Sequence, residues 1–384
     1  MGDSKKSCSS HLFGCGKLGE LEGLIKQYKA KKIFLVTGRS SYEKTGLKAR
    51  LEKMFKDYET FRYCDFRPNP CPEDIIKGCE AARDFDPDII VAAGGGSVMD
   101  TAKLISVLPA DKEKIDKVIK GEIDVPERKI PLILIPTTAG TGSECTHFAV
   151  VYESKSKYSV ASQCLLPDCS ISDPELGAAL PESVAAASAF DAFCQAVESY
   201  WAVGSTPRSR SYAAESISIF REYFLTFVKN RDRRSCEKMM LAAHLSGKAI
   251  NISKTTGAHA VSYILSINYG IAHGYAVILT LPEFFVFNSA AGKNDLNGGL
   301  DLESHKSRMR ELCALLGADD AVSAAERIRN FVKDAGMGIR LKDAGVSKKD
   351  DINMIAENVN IQRLKNNPVK INKKQLKNML EKIY

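Results

Sequence analysis

What the sequence lacks sets its first limits. No apolar run approaches the ~20 residues that a membrane-spanning helix needs, and Lys5-Lys6 is not followed by the apolar stretch of a secretory signal. A cytoplasmic protein with no membrane partner is expected. There is no CxxC pair, and the eleven cysteines are odd in number and scattered over 384 residues. That pattern fits free thiols in a reducing compartment better than a disulfide framework. Cys64, Cys71 and Cys79 match no zinc spacing and read as structural. Low-complexity tracts are absent and prolines number only 14, which excludes a disordered chain. The net charge of +7 comes without a dense basic block, Arg233-Arg234 and Lys373-Lys374 being small clusters. Nucleic acid is therefore not the expected partner, and small anionic ligands such as phosphates are.

What is present is enough material for two cores, since a single core stops growing at roughly 250 to 300 residues. The first half alternates β-rich runs with helical stretches, the pattern of a parallel sheet wrapped by helices. Strands are expected at Ile33 to Val36, Phe61 to Phe66, Ile89 to Ala92 and Leu132 to Ile135. Helices are expected at Thr45 to Phe55, at Pro72 to Phe85 and from Ser97 onward. After about residue 178 the β-rich runs nearly vanish. Ala185 to Trp201, Ser209 to Val228 and Ser235 to Ile250 carry helical periodicity instead. The division predicted is an α/β domain over 1–178 and an all-α domain over 179–384, with the boundary between Gly177 and Pro181. Asn288 to Leu300 reads as a loop.

Three segments carry chemistry. Gly94-Gly95-Gly96-Ser97-Val98-Met99-Asp100 follows a predicted strand and opens a predicted helix. Glycines let a phosphate approach the backbone there, and free N–H groups and the helix dipole face it. Ser97 is expected to cap the helix, with Asp100 completing a capping box. The segment is not the GxGxxG fingerprint, so a tight turn without a ligand explains three glycines equally well. Pro136-Thr137-Thr138-Ala139-Gly140-Thr141-Gly142-Ser143-Glu144 follows the next strand and suits a ligand crevice at the carboxyl edge of an open sheet. In the helical half, Asp191 and Gln195 stand four apart on one helix face, and His259 and His273 flank a glycine-containing helical stretch. With only six histidines in the chain these two draw attention, but spacing alone does not make them ligands.

Together these segments resemble the iron-containing alcohol dehydrogenase family, from Phe13-Gly14 to the C-terminal helices. The matching pieces are Pro68-Asn69-Pro70, GGGSVMDTAK at 94–103, IPTTAGTGSE at 135–144, LLPDCSISDPEL at 165–176, AFDAFCQAVESY at 189–200, GAHAVSY at 257–263 and GIAHGYAVILTLP at 270–282. The resemblance implies a Rossmann-like dinucleotide-binding domain with a parallel sheet, followed by an all-helical metal-binding domain, as in dehydroquinate synthase-like folds. It implies one divalent metal, Fe2+ or else Zn2+ or Mn2+, held in the cleft by Asp191, the residue four later, His259 and His273. That fourth position is usually histidine and here is Gln195, a neutral and harder donor. Tyr263 stands where many members have a histidine near the nicotinamide, so tyrosine, water or the cofactor ribose must serve in proton relay.

By the same mapping Gly95, Gly96, Ser97, Asp100, Thr137, Thr138, Thr141 and Lys157 contact the dinucleotide. At the end of the first strand, NAD-specific members often carry an acid, whereas this chain has Gly38, Arg39, Ser40 and Ser41. Glycine removes repulsion against a 2′-phosphate, and arginine beside two hydroxyls binds one, so NADP(H) is expected over NAD(H). The Gln195 and Tyr263 replacements look like the branch containing phosphonoacetaldehyde reductases, and reduction of phosphonoacetaldehyde to 2-hydroxyethylphosphonate is the first expectation. Lys254, with Arg208 and Arg210, is a candidate for meeting the anionic tail. A reductase of lactaldehyde, butanal or 3-hydroxypropanal is the alternative, followed by a dehydroquinate synthase-like lyase and by a non-catalytic nucleotide-binding protein. Family members commonly form homodimers or larger assemblies.

Overall fold

The computed structural model describes residues 10–153 and 156–384; Lys5 and Lys6 lie outside them. Two compact units divide the chain, one of residues 1–138 and 142–180 and one of 139–141 and 181–384.

The first unit is built on six strands: β1 (Ser10–Phe13), β2 (Lys32–Thr37), β3 (Glu59–Tyr63), β4 (Ile89–Gly94), β5 (Leu132–Pro136) and β8 (Cys169–Ser172). Their order is β1-β8-β5-β4-β2-β3 and every pairing is parallel. Its helices are α1 (Leu21–Gln27), α2 (Ser41–Lys44), α3 (Leu47–Met54), α4 (Pro72–Phe85), α5 (Gly96–Val107) and α6 (Lys112–Lys120). β6 (Phe148–Glu153) and β7 (Ser156–Ala161) form a separate antiparallel hairpin.

The near-continuous apolar strands follow from burial on both faces. Phe34, Val36, Ile90, Ala92, Leu132 and Leu134 enter one core, which α4, α5 and α6 complete. Their alternate neighbours Ile33, Leu35, Ile89, Val91, Ile133 and Ile135 enter the other, together with Leu47 and Leu51 of α3. Two expectations need correction. The helix expected from Thr45 to Phe55 is present as α3 but starts two residues later, because Gly46 at φ 72 is its N-cap and separates it from α2. The strand expected to run to Phe66 stops at Tyr63, whose hydroxyl turns to the carbonyls of Asp65 and Asp74.

The second unit is helical: α7 (Glu182–Trp201), α8 (Pro207–Lys229), α9 (Arg233–Ser253), α10 (Gly257–Tyr269), α11 (His273–Ser289), α12 (Leu302–Leu316), α13 (Ala321–Asp334), α14 (Asp351–Asn358), α15 (Ile361–Leu364) and α16 (Lys373–Lys382). α7 is buried nearly all round, from Ala185 to Trp201, as befits the central helix of a bundle. Phe193 of α7 stacks on Phe220 of α8, Phe190 packs tilted against Phe224, and Phe331 of α13 meets Phe193, Phe220 and Phe224. No helix among the described residues is long and apolar enough to cross a membrane.

Candidate active site

In the sheet unit, strand register brings the polar turns into one row. Thr37 of β2 pairs with Ala93 of β4, and Gly94 pairs with Pro136 of β5. The turns after β2, β4 and β5 therefore leave the same carboxyl edge. The chain goes from β2 outward to β3 and then returns to the other side of β2 for β4, which makes the β2/β4 junction the switch point where open α/β sheets bind ligands. Gly94 has a steric role, since a Cβ there would lie 2.4 Å from Val98 Cγ2. Thr137 N–H donates to the Gly94 carbonyl at 3.0 Å, and Thr138 lies beside Gly95.

The capping expectation is overturned. α5 starts at Gly96 with Gly95 as its N-cap, and no side chain caps it. Ser97 is already in the first turn, where its hydroxyl accepts the Asn69 N–H at 3.2 Å. Asp100 faces away from the helix start, accepting from Ser143 Oγ at 2.6 Å and from Val150 N–H at 3.1 Å. Burial raises its pKa in spite of the positive charges of Lys103 and Lys157 nearby. Lys103 is fully buried, with its ammonium donating to Thr146 O, Thr146 Oγ1 and Phe148 O at 2.9 to 3.0 Å.

After β2 two residues appear that the sequence reading passed over. Arg62 donates to Thr37 Oγ1 at 2.8 Å and to the Gly38 and Arg39 carbonyls at 3.1 and 3.3 Å, while its guanidinium lies over the Tyr42 ring. Asp65 forms an ion pair with Arg39. Ser40 and Ser41 begin α2 without a capping bond. A Cβ at Gly38 would meet Ser41 Oγ at 2.4 Å, a contact that a hydroxyl rotamer relieves.

In the helical unit, Asp191, His259 and His273 offer donor atoms that all lie within 4.8 Å of one another. His259 Nε2 is 3.2 Å and His273 Nε2 3.7 Å from Asp191 Oδ1. Divalent ions bind nitrogen and oxygen at about 2.0 to 2.2 Å, which requires donors to stand at separations of this order. A pair of histidines with one carboxylate is also a set that iron and zinc accept. Gly274 makes the cluster possible. A Cβ there would lie 1.9 Å from the Ala187 carbonyl oxygen and 2.7 Å from the Asp191 amide nitrogen, so only glycine lets the start of α11 touch α7 at this point.

Glu198, about two turns beyond Asp191 on α7, was not singled out from the sequence. It is fully buried and accepts Thr256 N–H, Thr256 Oγ1–H, Ala258 N–H and His259 N–H, and it pairs with His259 Nδ1. Trp201 Nε1 donates to Thr256 Oγ1 at 2.9 Å and extends the network. Burial opposes charge on His259, but Glu198 and Asp191 outweigh it and raise its pKa to about 9. The surroundings thus stabilise positive charge, as a metal centre requires. Glu198 stands at i+7 from Asp191, on the helix face that carries Gln195 at i+4, but its partners Thr256 and His259 belong to another segment, which the spacing does not reveal.

Gln195 is held at both ends. Its amide oxygen accepts from Ser246 Oγ at 3.0 Å and its amide nitrogen donates to Thr141 O at 3.3 Å. Tyr263 is buried, with its ring parallel to His273 at 5.6 Å, and the Arg363 guanidinium lies 5.0 Å from the Tyr263 ring centre. Lys254 is exposed at the end of α9 with φ 62, and Arg208 is exposed with its guanidinium against Tyr212.

The comparisons with known proteins point one way. The model of the iron-containing alcohol dehydrogenase matches residues 8–174, and the model of that family's C-terminal domain matches 185–384. The chain belongs to the iron-containing alcohol dehydrogenase family, a group of NAD(P)-dependent enzymes. It is similar to the phosphonoacetaldehyde reductase of Streptomyces viridochromogenes, 30% identical over 80% of this chain and 79% of that protein. The NADPH-dependent butanol dehydrogenase of Clostridium saccharobutylicum is 28% identical over 97% of this chain and 95% of its own. The crystal structure of sulfoacetaldehyde reductase from Bifidobacterium kashiwanohense in complex with NAD+ has the same fold, with a TM-score of 0.86 and 28% identity over 98% of this chain and 96% of that one.

Proposed function

We propose that the chain reduces phosphonoacetaldehyde to 2-hydroxyethylphosphonate, with NADPH giving a hydride to the carbonyl carbon and water supplying the proton that ends on the substrate oxygen. The observation that carries this is the Asp191, His259 and His273 cluster with Tyr263 stacked against it. Similarity to reductases of phosphonoacetaldehyde and sulfoacetaldehyde supports the choice of an anionic aldehyde.

Asp191, His259 and His273 would hold one divalent ion, Fe2+ first and Zn2+ or Mn2+ otherwise, with Gln195 Oε1 as a fourth and weaker donor. Bound there, the ion would polarise the carbonyl as a Lewis acid. Glu198 occupies His259 Nδ1 and leaves Nε2 to face Asp191, the orienting task of a carboxylate behind a ligand histidine. Ser246 and Thr141 keep the Gln195 amide from rotating. Tyr263 covers one face of His273 and is assigned to the proton path. Gly95, Gly96, Ser97, Asp100, Thr137, Thr138 and Lys157 are assigned to the dinucleotide. Gly38, Arg39, Ser40 and Ser41 are assigned to its adenosine end and to the preference for NADPH.

The test is oxidation of NADPH and NADH by protein loaded with iron, zinc or manganese, against phosphonoacetaldehyde, lactaldehyde, butanal and 3-hydroxypropanal. Metal-dependent turnover favouring NADPH and the phosphonate is expected. Asp191→Ala should bind no stoichiometric ion and lose about 10³-fold in kcat/KM, the scale of several kcal/mol of Lewis-acid stabilisation. Equal turnover of the neutral aldehydes would remove the substrate. Silence with every metal would favour the lyase or the non-catalytic reading.

A further inference from the structure

Arg363 is a cation that no sequence motif marks. It lies on the four-residue helix α15, far along the chain from both histidines. The segment around it is fixed by side-chain amides. Asn366 Nδ2 donates to the Ser253 and Thr255 carbonyls at 2.8 and 2.9 Å, and Asn366 Oδ1 accepts the Gly204 N–H at 3.1 Å. Asn367 exchanges hydrogen bonds with Asn288 at the end of α11 and donates to Val369 O. The backbone beneath Arg363 is thereby tied to the ends of α7, α9 and α11. Its half-buried guanidinium lies over Tyr263, and Tyr263 lies flat on His273.

We propose that Arg363, braced on Tyr263, selects aldehydes that carry an anionic tail. This rests on the reading of Asp191, His259 and His273 as the centre that receives the carbonyl. A guanidinium presents a planar fork that matches the oxygens of a phosphonate, sulfonate or carboxylate two at a time. A partly buried setting strengthens the attraction over what bulk water allows. The aromatic face of Tyr263 restrains the guanidinium. An aldehyde of two or three carbons carries its anionic group only a few ångströms from its carbonyl, so the cation that chooses it must stand close to the histidines. Arg363 is linked to His273 by the Tyr263 ring, whose centre lies 5.0 Å from the guanidinium and 5.6 Å from the His273 ring centre. Lys254 and Arg208 are exposed instead, with Arg208 turned to Tyr212.

The test compares metal-loaded wild type, Arg363→Gln, Arg363→Lys and Lys254→Gln on phosphonoacetaldehyde and butanal, with metal content and thermal melting measured for each. Binding of phosphonoacetate is followed by calorimetry as a readout independent of turnover. Arg363→Gln should lower kcat/KM for phosphonoacetaldehyde by about 10- to 100-fold, mainly through KM, the scale of a lost charge-assisted hydrogen bond. It should weaken phosphonoacetate similarly and leave butanal within about two-fold. Arg363→Lys should recover part of the loss, because the charge stays and the fork goes. A wild type that prefers the phosphonate while Arg363→Gln keeps that preference overturns the role of Arg363 and leaves the substrate reading standing. A wild type with no preference for the anion overturns both.

Discussion

The two units assemble their functional groups by opposite means. In the sheet unit each polar turn is one short stretch of chain at the end of a strand, and register alone lines the turns up. In the helical unit Asp191 meets histidines from two other helices, and Glu198 holds one of them from behind. Glycine shows the contrast most sharply. Gly94 makes room for Val98, a side chain four residues on, whereas Gly274 makes room for the backbone of a different helix. The carboxylates repeat it. Asp100 is held within its own unit by Ser143 and Val150 and has its pKa raised by burial. Glu198 suffers the same burial penalty, but His259 and the hydrogen bonds from Thr256 overcome it and lower its pKa. The first arrangement braces a turn, and the second orients a ligand.

The largest effect that would sharpen this contrast is expected at the glycines. Gly274→Ala forces a Cβ into a main-chain carbonyl that no rotamer can move aside, and it should cost about 3 kcal/mol, the upper range for overpacking, along with metal occupancy. Gly94→Ala meets the Val98 side chain first, with Cγ2 at 2.4 Å and Cβ at 2.7 Å, so Gly94→Ala with Val98→Ala, which removes the methyls and keeps the Cβ, should recover part of the stability that Gly94→Ala loses. Denaturant unfolding and metal analysis of the three variants decide it. A Gly274→Ala protein that melts normally and keeps its ion would break the comparison.

A smaller effect separates the carboxylates. Glu198→Gln should weaken metal affinity by about 10- to 100-fold, as loss of an orienting partner behind a ligand does, whereas Asp100→Asn should leave it unchanged. Chelator competition on the two variants gives the affinity without relying on turnover. Equal losses would mean that both act only through the stability of the fold.

The same contrast explains what was legible in the sequence. β2, α4, β4 and β5 were readable because burial on both faces imposes unbroken apolar runs, and because Pro72 and Asp74 mark the start of α4. The ends were less readable. Gly46 sets the start of α3 two residues later than periodicity alone places it, and Ser97 looks like a cap only until Gly95 takes that place. In the helical unit the resemblance supplied Asp191, Gln195, His259 and His273. Glu198, Ser246, Gly274 and Arg363 matter through neighbours distant in the chain, and neither spacing nor composition encodes those.

The smallest expected effect concerns the adenosine end of the dinucleotide. Arg39 was read as a phosphate-binding cation, yet in the fold it is paired with Asp65, and Lys77 lies 3.7 Å from the same carboxylate. A 2′-phosphate there would have to compete with Asp65 for Arg39 and would be repelled by it. Both charges are exposed, so solvent weakens the competition. Asp65→Asn should therefore raise kcat/KM for NADPH by only about two- to five-fold, without altering that for NADH, in steady-state assays with the aldehyde saturating. The reason is that the arginine is released while the acid that opposed the phosphate is removed. If NADH turnover falls and NADPH turnover stays the same, Asp65 is instead the acid that holds the ribose hydroxyls. In that case the preference assigned to Gly38 and Arg39 is reversed, because the NAD-favouring acid was present all along at the end of β3 rather than of β2.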